Sequence, residues 1–314
     1  MVAVHGSGDD SLARSVGPAL STASLGGEIP GMDEDLFKRW VKLLERRTGI
    51  VVPGTRRSFL LTNLRGRMRE AGYTSFETYY SDLQTGPRAA VEWATLVDRL
   101  TIHQTHFFRH QPSYDYVEKT WLPARTAALN WDGSIHAWSV GCATGEEAYS
   151  LAMAVDRGLD TVPGRSYFGI TATDVSQPAL AAGREGRYAE TRRSEIPDDM
   201  ARRYIKAADG QRFEIDERLR RRVAFSVFNL LDLGRAPVKE LDLIFCQNVM
   251  IYFPRERRLE MLAGFASLLK PGGVMILGPG EVTQWNYPGL ERVSNRQVLA
   301  YRRLDDPRPS LDSV

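Results

Sequence analysis

Apolar residues recur at helical spacing through the first hundred positions of the chain. The first such run begins after Asp33 and ends at Gly49, and similar runs predict helices over about 56–71, from Ser75 onward, and over about 89–100. We therefore expect an all-α domain over residues 31–110, after a flexible leader, residues 1–30, that is rich in Gly, Ser and Ala. The apolar positions of the first helix are Leu36, Trp40, Leu43 and Leu44.

From residue 111 the pattern changes to short apolar runs that alternate with helical segments. This alternation predicts a Rossmann-like α/β domain over residues 111–304, with a mostly parallel, doubly wound sheet, followed by a flexible tail over residues 305–314. A Pro-Gly-Gly turn is expected before the fifth strand, and a helix over 147–157. The five predicted strands cover residues 137–140, 167–172, 223–228, 241–246 and 274–277.

A charged stretch over about 186–222 interrupts this α/β pattern. Within it Phe213 and Ile215 alternate with charged residues, which indicates a small antiparallel β-subdomain inserted into the main domain. The part of this stretch from Lys206 to Arg222 is short and has one glycine turn, at Gly210.

Composition excludes several classes of protein. The 314 residues carry a formal net charge of only +2, so global charge does not favour a nucleic-acid partner. Two cysteines, Cys142 and Cys246, make no disulfide framework and fit a reducing compartment. No apolar stretch approaches the ~20 residues that a membrane-spanning helix needs, and no signal peptide is recognisable. We expect a cytoplasmic monomer without direct membrane insertion.

A glycine-containing loop follows the first predicted strand, in the segment WSVGCATGEEAYSLAM, residues 138–153. Gly141 and Gly145 allow the backbone to approach a ligand closely. A pyrophosphate would be repelled by Glu146 and Glu147, which disfavours a NAD-dependent dehydrogenase. The two carboxylates suit a cation, such as the ammonium or sulfonium of S-adenosylmethionine. Alternatively, they only start a helix against its macrodipole.

Polar residues follow three further strands. Asp174 is placed to accept hydrogen bonds from ribose hydroxyls, or else to cap the next helix. Asn229 has an amide suited to an adenine edge, with Leu230 as an apolar wall, although a turn-forming asparagine explains it better on sequence alone. Gln247 and Asn248 should face the same site. Tyr252, one helical turn later, is otherwise an aromatic core anchor.

These segments together resemble the CheR-type chemotaxis receptor methyltransferases over roughly residues 33–300. The resemblance is carried, in order, by LTIHQTHFFRH, AWSVGCATGEEAYSLAM, TATDVSQPALAAGREGRY, FNLLD, IFCQNVMIYF and LLKPGGVMIL. It implies an all-α domain on a Rossmann-like catalytic domain with an inserted β-subdomain. The implied activity is methyl transfer from S-adenosylmethionine to glutamates of chemoreceptor helices, with S-adenosylhomocysteine as the product.

The resemblance also implies a set of site residues. Arg109 and Tyr252 match the residues that line the methyl-transfer site. The implied cofactor contacts are His103, Thr105, Arg109, Gly141, Glu146 or Glu147, Asp174, Asn229, Leu230, Gln247 and Asn248.

Three positions depart from the family pattern. His103 stands where the family usually has Asn, Gln247 where it usually has Arg, and Gly-Pro-Gly-Glu over 278–281 where it has a His-Ser-Glu-like sequence. A glutamine keeps hydrogen-bond donors but loses the charge and fork geometry of arginine. The departures are compatible with a pilus-linked branch of the PilK kind. Two alternatives stay open: a degenerate S-adenosylmethionine-binding regulator, and a methyltransferase for small molecules.

Three histidines, His103, His106 and His110, lie near one helical face but lack a cysteine or carboxylate partner of clear spacing, so we expect no metal site. The first two helices are rich in cations, which either form a solvated face or steer an acidic receptor helix into register. We expect a form that needs no tethering peptide from the receptor. The cations are Lys38, Arg39, Lys42, Arg46, Arg47, Arg56, Arg57, Arg65, Arg67 and Arg69.

Overall fold

A computed structural model of the chain describes residues 31–51, 54–101, 105–129, 131–283 and 285–304. The predicted leader, the predicted tail and His103 lie outside the described residues. No helix in these ranges is both long and apolar enough to cross a bilayer.

The four predicted N-terminal helices are confirmed. They are α1 (Glu34–Thr48), α2 (Arg57–Ala71), α3 (Phe76–Thr85) and α4 (Ala89–Leu100), with a 3-10 turn, Gly54–Arg56, before α2. The side chain of Asp33 accepts from the Leu36 amide at the start of α1, and Gly49 ends that helix at φ 74°. The fully buried residues of this domain are Trp40, Leu60, Leu64, Met68, Tyr79, Leu83 and Leu96.

A helical connection that the sequence pattern did not predict joins the two domains. It comprises α5 (Gln111–Tyr116), a π-helical segment (Val117–Trp121) and α6 (Leu122–Thr126). Tyr114, Val117 and Leu122 are buried in the same core as the helix after the glycine loop. The connection is therefore part of the core of the α/β domain.

Within the described chain, seven strands form the main sheet in the order β6-β2-β1-β7-β8-β10-β9. The first five run parallel, and β10 pairs antiparallel with both β8 and β9. The strands are β1 (Ser134–Val140), β2 (Tyr167–Asp174), β6 (Val223–Val227), β7 (Leu241–Cys246), β8 (Leu269–Leu277), β9 (Leu290–Arg292) and β10 (Leu299–Arg303).

Helices cover both faces of this sheet. On one face α7 (Glu146–Leu159) packs against residues such as Ile170, and on the other α11 (Arg255–Leu268) buries Phe265 against Trp138. Shorter helices are α8 (Gln177–Glu185), α9 (Asp198–Tyr204) and α10 (Glu217–Arg220). The doubly wound, mostly parallel α/β fold is confirmed.

Two details of the predicted sheet are corrected. The Pro-Gly-Gly sequence does not form a turn before the fifth strand, because β8 runs through it with Gly272 at φ 75° and a register shift between Leu241 and Leu243. Strands β9 and β10 were not predicted, because their short sequences are rich in arginine and lack a clear alternation.

The charged insertion forms a separate antiparallel sheet, as expected. Its strands are β3 (Arg187–Ala189), β4 (Ile205–Ala207) and β5 (Arg212–Ile215), in the order β3-β5-β4. Phe213 and Ile215 are buried and belong to the core that contains α7. We refer to residues 186–222 as the inserted subdomain.

The end of α1 attaches the all-α domain to the carboxyl edge of the main sheet. The amide of Val51 donates to the carbonyl of Tyr252 at 3.1 Å, and the Asn229 side chain donates to the Arg47 carbonyl at 2.8 Å. A Cβ atom on Gly49 would lie 2.7 Å from the ring of Phe253. This close approach places the all-α domain over the strand ends.

Candidate functional site

A cavity of about 340 Å³ opens at the carboxyl ends of β1, β2, β6 and β7, beneath the end of α1. This volume lies within the range of small-molecule sites, and the edge of the sheet is the one where open α/β folds bind ligands. Among the cofactor and methyl-transfer residues expected from the sequence, those that line the cavity are Thr105, Arg109, Gly141, Glu147, Asp174, Asn229, Leu230, Gln247, Asn248 and Tyr252. His106 and Arg56, which the sequence singled out for other reasons, line it as well.

The glycine loop is tightly packed at both glycines. Gly141 has φ 70°, and a Cβ atom there would lie 2.4 Å from Cγ2 of Val249. Gly145 has φ 95°, and its Cβ atom would lie 3.0 Å from the ring of Phe225. Side chains are therefore excluded at both positions, and at Gly141 the backbone itself forms part of the cavity wall.

Glu147 and Glu146 occupy different environments. Glu147 lines the cavity and accepts a hydrogen bond from Ser139 Oγ at 2.8 Å. Glu146 does not line the cavity, and its carboxylate is bound by Thr144 Oγ1 at 2.6 Å and by the guanidinium of Arg192. The structure thus brings Glu147, and not Glu146, to the site.

Burial raises the pKa of the Glu147 carboxyl well above its usual range. The negative charges of Glu281 and Asp174 raise that pKa further, whereas the hydrogen bond from Ser139 and the positive charge of Arg109 lower it. A buried carboxylate that faces a cavity under these conditions is a marker of a functional site.

Asp174 ends β2 with both carboxylate oxygens facing backbone amides. Oδ2 accepts from the Ala143 amide and Oδ1 from the Ser176 amide, each at 2.9 Å. The alternative role, capping the next helix, falls to Ser176, whose hydroxyl accepts from the Ala179 amide at 3.1 Å. Each Asp174 oxygen can accept a further hydrogen bond, as ribose hydroxyls require.

Asn229 serves the turn that follows β6. Its Oδ1 accepts from the Leu231 amide at 3.0 Å, and its Nδ2 donates to the Arg47 carbonyl. The turn-forming role is thus present, and the residue lines the cavity as well. Leu230 and Phe228 add apolar walls beside it.

Arg109 lies on the cavity at the end of a segment that is anchored by two buried phenylalanines. Phe107 is 2% and Phe108 6% exposed. The Phe108 amide donates to Ser150 Oγ at 3.0 Å, and its φ of 50° is strained for a residue with a side chain. The packing of these rings therefore fixes where the exposed Arg109 side chain begins.

Tyr252 lines the same cavity, half-buried, as the last residue of the 3-10 turn Met250–Tyr252. Within the described residues its hydroxyl has no hydrogen-bond partner, so it can still donate to a ligand. Its ring also packs against the core to which the buried Phe253 belongs, so the role of a core anchor is present in part.

The histidines have separate partners. His106 Nδ1 lies 3.3 Å from Glu195, and His110 Nδ1 lies 2.9 Å from Ser113 Oγ. Among the described residues no group of three or more His, Cys, Asp or Glu side chains is placed to hold a metal ion.

Two family models match the chain. "CheR methyltransferase, SAM binding domain" matches residues 103–299, and "CheR methyltransferase, all-alpha domain" matches residues 35–101. The chain belongs to the CheR methyltransferase family. The chemotaxis protein methyltransferase of Borreliella burgdorferi is 31% identical over 81% of this chain and 90% of its own length.

Two further relatives show the breadth of the family. The chemotaxis protein methyltransferase of Escherichia coli is 31% identical over 82% of this chain and 86% of its own length. A probable biofilm formation methyltransferase of Pseudomonas aeruginosa is 28% identical over 85% of this chain and 62% of its own length. The family membership, the S-adenosylmethionine cofactor and the two-domain architecture expected from the sequence are confirmed.

In this CheR family member, Gln247 takes a structural role at the position that usually holds arginine. Its amide donates to Ser113 Oγ at 2.8 Å and to the Leu277 carbonyl at 3.3 Å. Next to it, Tyr114 lines the cavity and stacks on Phe245 with ring centroids 5.0 Å apart. Tyr114 was missed from the sequence, because it lies in the unpredicted α5 and no spacing connects it with the strand ends.

The Gly-Pro-Gly-Glu segment ends in a buried acidic residue, Glu281, that was not predicted from the sequence to belong to the site. Glu281 is 3% exposed and accepts from the Gly278 amide at 2.7 Å and the Met250 amide at 3.0 Å. Burial raises the pKa of this carboxyl, while the amides around it, including those of Asn248 and Ile251, lower that pKa. Glu281 thus holds the loop that carries Asn248 and Tyr252.

Much of the cationic surface on α1 and α2 is used within the all-α domain. Arg67 binds Glu92 at 2.6 Å and Glu70 at 3.2 Å, and Arg39 binds Glu77 at 2.8 Å. Arg57 forms an ion pair with Glu34. The guanidinium groups of Arg47 and Arg65 lie over the rings of Trp93 and Phe76. Arg56 lines the cavity.

Proposed function

We propose that the chain transfers a methyl group from S-adenosylmethionine to glutamate side chains on cytoplasmic helices of chemoreceptors, forming methyl esters. One observation carries this proposal: a single cavity collects two carboxylates, Glu147 and Asp174, together with Arg109 and Tyr252. The first pair suits the cofactor, and the second pair suits the acceptor.

The residues present fit the cofactor. Asp174 would accept hydrogen bonds from the ribose, Phe228 and Leu230 would flank the adenine, and Glu147 would face the positively charged end. When bound, S-adenosylmethionine supplies a methyl group on a positively charged sulfur, which leaves as the neutral thioether of S-adenosylhomocysteine. We propose Thr105, Gln247 and Asn248 as further cofactor contacts. The sequence left open whether Glu146 or Glu147 is the acidic contact, and we assign that role to Glu147 because it lines the cavity.

The acceptor needs no general base. A glutamate carboxyl with a reference pKa near 4.3 is already ionised at neutral pH. The task of the chain is alignment and exclusion of water at near-attack distance, about 3–3.5 Å. We assign to Arg109 the orientation of the acceptor carboxylate and to Tyr252 a hydrogen bond beside the transferred methyl group.

The choice of a receptor helix as substrate is supported by the relatives. Those of Borreliella burgdorferi and Escherichia coli are named chemotaxis protein methyltransferases, and they match most of this chain. The cavity opens beneath the all-α domain, where Arg56 lines its wall. A cation at this position would attract an acidic substrate helix.

The proposal is tested by incubating the full chain with radiolabelled S-adenosylmethionine and cytoplasmic fragments of chemoreceptors. We expect label on the fragment that base releases as methanol, and none on a fragment whose methyl-accepting glutamates are replaced by glutamine.

Arg109→Ala should lower turnover about a hundredfold with little change in affinity for S-adenosylhomocysteine. Label that resists base, or equal turnover in the variant, would contradict the assignment. Cofactor binding without any transfer would instead identify a regulator.

A further inference from the structure

Two residues of the inserted subdomain bind the segments that surround the site described above. Arg192 and Glu195 lie on the 3-10 segment Glu190–Glu195, which follows β3. Sequence reasoning did not single out either residue, and neither lines the cavity. Both, however, bind the backbone that carries the site residues.

Arg192 connects two parts of the site. Its guanidinium binds the carboxylate of Glu146, at the start of α7, and the carbonyl of Thr105, and its Nε lies 3.3 Å from Glu195. Glu146 is fully buried, so its charge needs such a partner. A single planar guanidinium thus connects the end of the glycine loop with the segment that leads to Arg109.

Glu195 completes this connection from the other side. One oxygen accepts from the Phe107 amide at 2.9 Å, and the other lies 3.3 Å from His106 Nδ1. The amide it holds is two residues before Arg109. Because Phe108 is strained, the segment keeps its course only while such contacts hold it.

The rest of the inserted subdomain packs on the same two segments. Tyr188 donates from its hydroxyl to the Thr144 carbonyl at 2.8 Å. The ring of Phe107 packs edge-on against Tyr188, with centroids 4.9 Å apart, and lies 5.9 Å from Phe213. The glycine loop and residues 105–108 are therefore both supported by the insertion.

We propose that Arg192 and Glu195 are positioning residues for methyl transfer: together they fix Arg109 relative to the glycine loop. The inserted subdomain is thereby a structural part of the site, whatever else binds to its surface. This inference rests on the proposed function only for the role of Arg109. The arrangement of the cofactor site itself does not depend on the identity of the acceptor.

The test compares Arg192→Met, Glu195→Gln and the matched control Arg193→Met in the full chain. Arg193 lies on the same segment, is half-exposed and has a 3.8 Å contact with Glu190. For each variant, calorimetry measures the affinity for S-adenosylhomocysteine, and an assay at saturating methyl donor measures turnover. We expect affinity to fall about tenfold and turnover by a further tenfold or more in the first two variants, with no change in the control. Wild-type values in Arg192→Met and Glu195→Gln would overturn the proposal.

A second variant separates positioning from charge balance. In Glu146→Gln/Arg192→Met the buried carboxylate and its cation are both removed, so no unpaired charge is left at this buried position, while the partly exposed Glu195 keeps the Phe107 amide and His106. If Arg192 positions Thr105, affinity stays about tenfold below wild type in this double variant. Recovery of wild-type affinity would show that Arg192 only neutralises Glu146, and would overturn the proposal. If the wild-type chain binds S-adenosylhomocysteine but methylates no receptor, the proposed function fails while these affinities still decide the role of Arg192.

Discussion

At the scale of single residues, Glu147 differs from an ordinary glutamate in the first turn of a helix because its side chain is buried. A glutamate in the first turn of a helix would interact favourably with the macrodipole from an exposed position. Glu147 is instead buried, and its pKa is raised by burial and by the nearby charges of Glu281 and Asp174. Since this arrangement costs stability, we interpret it as a requirement of cofactor binding.

Glu147→Gln should therefore stabilise the unliganded chain and weaken its binding to S-adenosylmethionine. Glutamine keeps an acceptor for Ser139 but removes the charge. The folded-state pKa of Glu147 is raised above its usual value of 4.5, so the wild type loses stability as pH rises above that value. The advantage of the variant should be largest near pH 7, roughly 2–4 °C in Tm, and vanish below about pH 4.

Thermal melts across pH and calorimetry with S-adenosylmethionine measure the two effects. Glu185→Gln, at an exposed glutamate on α8, serves as the control and should change neither quantity. A variant that binds S-adenosylmethionine as tightly as the wild type would show that the Glu147 charge does not act on the cofactor.

At the scale of elements, the loop between β7 and α11 depends on a distant carboxylate. Asn248 has φ 61°, which is unfavourable for a side-chain-bearing residue, and the following amides converge on Glu281. Because the same loop carries Tyr252, its conformation decides where that hydroxyl lies. Glu281 thus acts on the site through the backbone.

Glu281→Ala should lower turnover about tenfold and Tm by several degrees, since several buried amides lose their acceptor. Glu281→Gln should lower turnover and Tm by intermediate amounts. Its oxygen still accepts a hydrogen bond, but its NH2 group is a donor that faces other backbone donors. Hydrogen exchange of the amides over 248–251 reports the loosening directly. Glu260→Ala, which removes an exposed partner of Arg257 on α11, is the control. Unchanged exchange in Glu281→Ala would refute this role.

At the scale of the whole molecule, the all-α domain is attached next to Tyr252. The bond from Val51 to the Tyr252 carbonyl and the close packing of Gly49 on Phe253 join the end of α1 to the loop after β7. A partner that binds the all-α domain is therefore brought to the cavity mouth. Ion pairs within the domain leave Arg69 exposed on α2, one turn beyond Arg65.

Arg65→Glu/Arg69→Glu should raise the KM for receptor fragments about tenfold at low salt, with little change in kcat. The difference should shrink as salt is added, because exposed charges are screened. Lys38→Glu on α1 is the control, since Lys38 is exposed and lies 3.9 Å from Asp35. Salt-independent methylation, or an equal effect of Lys38→Glu, would contradict docking through α2.

The sequence by itself determined the four N-terminal helices, the five parallel strands and the antiparallel insertion, in their order along the chain. Helical spacing around Trp40, the strand that leads into Gly141 and the antiparallel insertion around Phe213 follow from local periodicity and glycine geometry, which need no knowledge of distant neighbours. Strands β9 and β10 escaped prediction because no local periodicity marks them. They form because they pair with the edge of the sheet, β10 on β8 and β9 on β10.

The tertiary structure alone decided which side chains meet. Glu146 and Glu147 are adjacent in sequence, but the folded chain gives them different partners. Glu146 binds Arg192 of the inserted subdomain, whereas Glu147 binds Ser139 and faces the cavity. Glu281 and Arg192 reach the site across 31 and 46 residues, to Met250 and Glu146. Contacts over such separations depend on how whole elements pack, and no local pattern encodes them.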